Sequence, residues 1–161
     1  MKNLIFTTIL FAACQLVAAA GYENLITEDY LRSLFVFSEG DTLKYSECKK
    51  KTYPTCTYVW GQLSSKDEKR LKYGLAPSGN KLQIIYAQAK SPKDFQRVTA
   101  TYSDAETIDR LGVESVWSAK RKQLSLITGD YLVMHINIDA QNGEDTKQQA
   151  IAIAGDLLEN L

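Results

Sequence analysis

The stretch from Gln123 to Leu161 limits the possible folds more than any other part of this chain. Gln123-Leu124-Ser125-Leu126-Ile127-Thr128 and Tyr131-Leu132-Val133-Met134-His135-Ile136-Asn137-Ile138 read as two paired strands. Gly129-Asp130 between them is hairpin-turn chemistry. Leu132, Met134, Ile136 and Ile138 fall on one face of the second strand, and Tyr131, Val133, His135 and Asn137 on the other. A polar loop from Asp139 to Glu144 leads into a helix predicted from about Asp145. Its apolar stripe is Ala150, Ile153, Ala154, Leu157, Leu158 and Leu161. A hairpin with a continuous apolar face, followed at once by an amphipathic helix, can bury both only by packing the helix on the sheet.

The earlier chain supplies the remaining layers. Thr27 is an N-cap for a first helix through Phe35, with Glu28 and Asp29 in its first turn and Ile26 placed to staple onto Leu31. Strands are predicted over Thr42–Cys48, Thr55–Gln62 and Lys81–Ala87. Between them, Ser65-Lys66-Asp67-Glu68 can begin a short helix. Ser91-Pro92 opens another helix, with Phe95 and Val98 starting its apolar face. A short second helical piece is expected over Asp104–Leu111, before Val113–Trp117. The order predicts an α+β single domain: a mainly antiparallel sheet covered by helices, with a C-terminal amphipathic helix packed on it.

The N-terminus reads as an export signal. Lys2 is followed by an uncharged apolar run from Leu4 to Val17 and then by Ala18-Ala19-Ala20-Gly21. Gln15 and the small residues interrupt a run that would need about 20 apolar residues to span a bilayer. Residues 1–20 are therefore assigned to a signal peptide cut after Ala20, and residues 21–161 to the working domain. Phe11-Ala12-Ala13-Cys14 is the competing feature, since it is close to a lipobox. Acylation of Cys14 would tether the domain to a membrane. Phe11 stands where a leucine-like residue normally lies, so plain cleavage is preferred.

Export changes how the other two cysteines are read. Cys48 and Cys56 are an even pair in an oxidising compartment, and a structural disulfide is expected. Closing so short a loop contributes about 2–3 kcal/mol. Seven intervening residues do not suit a redox pair, and one histidine in the whole chain does not suit a zinc site. A formal net charge of zero points to neither nucleic acid nor an anionic membrane surface.

With these elements in place, the chain resembles small exported bacterial envelope proteins, often lipoproteins, of unknown function. The carrying segments are Leu25-Ile26-Thr27, Cys56-Thr57-Tyr58-Val59-Trp60, Gly112–Trp117, Leu124–Asp130 and Gln148–Leu161. Those families are similar to the α/β sandwich of PsbP-like extrinsic proteins, and the resemblance implies a binding or assembly role. It implies no catalytic residue. Many of those lipoproteins pair the strand cysteine with one before the first helix; here its partner would be Cys48.

Candidate chemistry is sparse. His135 must serve any histidine-based mechanism, and on an alternating strand it reads first as a solvated side chain. No Gly-x-Ser-x-Gly elbow is present. Residues 74–81 echo a phosphate loop, but Asn80 stands where its lysine belongs. Asp139–Asp145 has the oxygen-rich look of a calcium loop without the closing glutamate. Lys49, Lys50 and Lys51, interleaved with Tyr45, Tyr53 and Tyr58, form a candidate partner-binding patch. The expectation is an exported, periplasmic or envelope, non-enzymatic binding domain. No cofactor or metal is expected. Its partner would be a protein or small ligand of the cell envelope, with membrane contact only through a lipid on Cys14. The alternative is a small exported hydrolase using His135 or a carboxylate pair among Glu106, Asp109 and Glu114. Intact mass of the exported protein checks the processing: a chain beginning at Gly21 is expected, and a diacylglyceryl adduct on Cys14 would overturn it.

Overall fold

The computed structural model describes residues 26–49, 53–73, 75, 77–140 and 145–161. The signal segment and Cys14 lie outside these residues, as do Lys50, Lys51, much of the calcium-like loop, and Gly74 and Ala76 of the phosphate-loop echo. Among the described residues, seven strands form one antiparallel sheet: β1 (Leu43–Lys49), β2 (Thr55–Trp60), β3 (Asn80–Gln88), β4 (Ala105–Thr107), β5 (Glu114–Ser118), β6 (Gln123–Ile127) and β7 (Leu132–Asp139). Their spatial order is β1-β2-β3-β7-β6-β5-β4. Two meanders, one from each half of the chain, are thus joined where β3 pairs with β7, from Lys81↔Asp139 to Gln88↔Leu132. The α+β architecture read from the sequence is the one observed.

Local chemistry starts each of the four helices. Helix α1 (Glu28–Leu34) is capped by Thr27, whose side chain accepts from the Tyr30 amide. Glu28 then ties α1 to the sheet, accepting from the Leu43 amide at 2.8 Å and pairing with Arg32. Helix α2 (Ser65–Lys72) begins with a full capping box between Ser64 and Asp67. Asp67 also accepts from the Ser78 amide and hydroxyl, at 2.6 and 2.7 Å, which fastens the following loop. Those donors hold its carboxyl well below the ordinary carboxylate range. Helix α3 (Pro92–Thr99) starts with proline at its first position, and α4 (Thr146–Glu159) is capped by Asp145.

Period-two alternation sorts the side chains onto two unequal faces. The first face carries Tyr58, Trp60, Leu82, Ile84, Leu124, Leu126, Met134, Ile136 and Ile138, and α1 and α4 cover it in one continuous core. Trp60 packs between Phe35 and Phe37 there, at ring separations of 4.6 and 5.8 Å. Cys48 and Cys56 face each other across β1 and β2 and form the expected disulfide. On the second face, Phe95 of α3 packs on Ile127 and Val133 in a smaller cluster.

Three sequence expectations change. The expected helical piece over 104–111 is the edge strand β4 followed by a single 3-10 turn, Asp109–Leu111. The two-residue hairpin turn is a three-residue loop. Thr128 pairs with Leu132, and Tyr131 takes the left-handed position at φ +66° that closes such a loop. In α4, Ile151 joins the buried stripe and Leu161, beyond the helix end, is exposed. Chemical denaturation checks that stripe. Ile153→Ala is expected to cost about 2–4 kcal/mol by opening a cavity under the sheet, and Leu161→Ala less than about 0.5 kcal/mol.

Candidate functional site

The candidate site is a cleft on the incompletely covered face, between the sheet and α3. Its volume is about 250 Å³. Ala87 of β3 and Val133 of β7 form the sheet side, and Phe95 and Val98 of α3 form the opposite wall. Tyr53, just before β2, stands at one side. His135 lies beside Val133 on the sheet side, opposite Ile85 on β3 and Ser125 on β6.

His135 is therefore not the solvated strand residue that alternation implied; it is largely withdrawn from water. Its Nδ1 lies 2.8 Å from Ser125 Oγ and 3.2 Å from Gln123 Nε2. Gln123 Nε2 also lies 2.9 Å from both the Tyr102 hydroxyl and Ser125 Oγ. Tyr102 OH and Ser125 Oγ are 3.2 Å apart, and the Arg121 guanidinium covers the Tyr102 ring at 4.5 Å. A buried cluster of polar side chains thus satisfies one imidazole nitrogen, as burial requires. Burial lowers the His135 pKa, because the charged imidazolium loses hydration.

This geometry bears on the hydrolase alternative. Ser125 is fully buried, so its hydroxyl meets no substrate from the cleft. The three carboxylates are not gathered into a pair. Glu106 sits opposite Trp117 and binds Lys147, whereas Glu114 projects from the other face of β5 and accepts from Gln96. Asp109 lies on the 3-10 turn.

The lysine–tyrosine patch divides. Tyr58 is only 1% exposed in the core, with its hydroxyl 3.8 Å from Cys48 Sγ, and offers no surface to a partner. The reason is parity: Tyr58 shares the inward face of β2 with Cys56 and Trp60. Tyr45 and Lys49 project from the second face of β1, and Lys49 pairs with Glu47 at 3.3 Å. Burial and the neighbouring Glu47 carboxylate push the Tyr45 hydroxyl up to about 12. With Thr55, Thr57 and Gln83, these residues line a smaller cavity of about 160 Å³. Among the described residues of the patch, Tyr53 alone reaches the cleft, and it is 61% exposed.

Among the described residues, no group of three or more His, Cys, Asp or Glu side chains could hold a metal ion. No helix among them is long and apolar enough to cross a membrane. No protein-family model, curated protein or solved structure matches the chain.

The buried histidine gives a pH dependence with a defined sign. Its folded pKa lies below that of the unfolded chain, so as pH falls through the ordinary histidine range the unfolded state takes up the proton first. Stability is therefore lost with falling pH in that window and is unaffected by this group above it. Denaturant unfolding between pH 7 and 5 is expected to show that loss, with a shallower slope in His135→Gln. An unchanged slope would mean that His135 does not carry it.

Proposed function

We propose that this protein is an exported, non-enzymatic binding domain of the periplasm or cell envelope, and that its ligand seats in the cleft between α3 and the sheet. The observation that carries the reading is the composition of that cleft. Its apolar walls are Ala87, Phe95, Val98 and Val133, and its polar groups on the sheet side are Gln88 and His135, the latter hydrogen-bonded from behind. Apolar walls with a few fixed polar groups are how small-ligand sites are built. A buried Ser125 and scattered carboxylates favour binding over hydrolysis. The signal-like N-terminus and the Cys48–Cys56 disulfide support an extracytoplasmic setting. The zero net charge disfavours nucleic acid. Membrane contact enters the proposal only through a lipid on Cys14.

Val98 is 46% exposed, so it can be altered without opening the core. In amide NMR spectra, a mixture of small aromatic fragments is expected to shift Ala87, Val98, Val133 and His135. Val98→Arg should abolish those shifts while changing stability by no more than roughly 0.5 kcal/mol. Shifts confined to other surfaces would move the site elsewhere. Hydrolysis of an activated ester that disappears in His135→Phe would overturn the non-enzymatic reading.

A further inference from the structure

The hydrogen bonds behind His135 determine what its cleft-facing edge can do. Gln123 Nε2 lies 3.2 Å and Ser125 Oγ 2.8 Å from Nδ1, and since an amide nitrogen can only donate, the tautomer that suits both contacts leaves Nδ1 unprotonated. Nδ1 is then the acceptor, and a neutral ring carries its proton on Nε2. No hydrogen bond joins Nε2 to any described residue, although His135 lines the cleft. In that tautomer His135 offers the cleft an N–H that no described residue takes up, beside the Gln88 amide, which already donates to the Asp130 carbonyl at 2.8 Å.

The remaining groups restrict the ligand's charge. Asp94 stands at the α3 side of the cleft, and its carboxylate disfavours an anion. That carboxylate is already engaged, accepting from the Lys90 amide at 3.2 Å and pairing with Arg97 at 3.2 Å, which weakens its pull on a cation. A dry apolar cavity of about 150 Å³ holds benzene. The space here, about 250 Å³, admits a ring with a short substituent.

We propose that the cleft binds an uncharged molecule of aromatic-ring size bearing one acceptor oxygen, such as a ketone, amide or ester carbonyl, which takes the hydrogen bond from His135 Nε2. This rests on the binding reading above and adds the ligand's chemical class.

Three matched probes test it in NMR titrations of the disulfide-bonded protein. Acetophenone has the acceptor, ethylbenzene has the shape without the acceptor, and benzoate has the shape with a negative charge. Acetophenone is expected to bind up to about tenfold more tightly than ethylbenzene, as one added hydrogen bond allows. Benzoate should be the weakest. His135→Phe should bring the acetophenone-to-ethylbenzene ratio to about one, and His135→Gln, which keeps a donor, should retain part of it. Equal affinity for all three in the native protein would overturn the donor inference and leave the binding site standing. Failure of every probe to shift Ala87, Val98 and Val133 would overturn both. Since the probe comparison is made in the native protein, it does not depend on any variant folding.

Discussion

The seam between β3 and β7 is the interaction on which the rest of the molecule depends. Neither meander has a complete core of its own. The first contributes Tyr58, Trp60, Leu82 and Ile84, and the second Leu124, Leu126, Met134 and Ile136, to one layer that exists only when the two are joined. The register from Lys81↔Asp139 to Gln88↔Leu132 places the apolar sets on the same side. A slip of one residue would turn one strand's entire set toward the other face. Helix α4, the next element after β7, closes this layer with Ala150, Ile153, Ala154 and Leu157. The seam joins residues about fifty positions apart, so the first meander gains its core partners only once the second is in place.

The connection between the meanders explains why a cleft exists. The chain leaves β3 near the middle of the sheet and re-enters at the far edge as β4. It then returns inward through β5 and β6 to β7. The crossing is made by α3 on the second face, where Phe95 anchors it to Ile127 and Val133. An eight-residue helix is about 12 Å long. Seven strands span nearly 30 Å, at roughly 4.8 Å each. One short helix cannot roof that width, so α3 covers the second face only in part, and the smaller cavity lined by Thr57, Gln83 and Lys49 lies farther out. His135 sits where the covered part meets the open part.

Much of the fold was legible because the elements announce themselves locally. Thr27, Ser65, Pro92 and Asp145 each mark in the sequence where a helix starts, and the alternation in β7 gave both faces correctly. Position 104–111 misled because a three-residue edge strand carries too little alternation to outweigh its polar, turn-rich composition. The site was harder to read because its parts are far apart in the chain. Phe95 and Val98 were visible as the start of an apolar helical face, but their sheet partners were not. The one usable signal was apolar residues on the outward face of two adjacent strands, Ile85 and Ala87 on β3 and Val133 on β7, which implies a second layer. Tyr58 entered the surface patch because proximity in sequence to three lysines hid its inward parity.

The cluster behind His135 bears on whether that residue is structural. Tyr102, Gln123, Ser125 and His135 satisfy one another away from water. A polar cluster of this kind contributes little net stability compared with apolar packing of the same shape. If packing were its only role, leucine or valine in place of Ser125 and His135 would extend the dry patch formed by Ile127, Val133 and Phe95. Instead the network engages Nδ1, and in the proposal above the opposite nitrogen is left for the ligand of the cleft. That is the arrangement expected of a ring whose tautomer and orientation matter to something outside the fold.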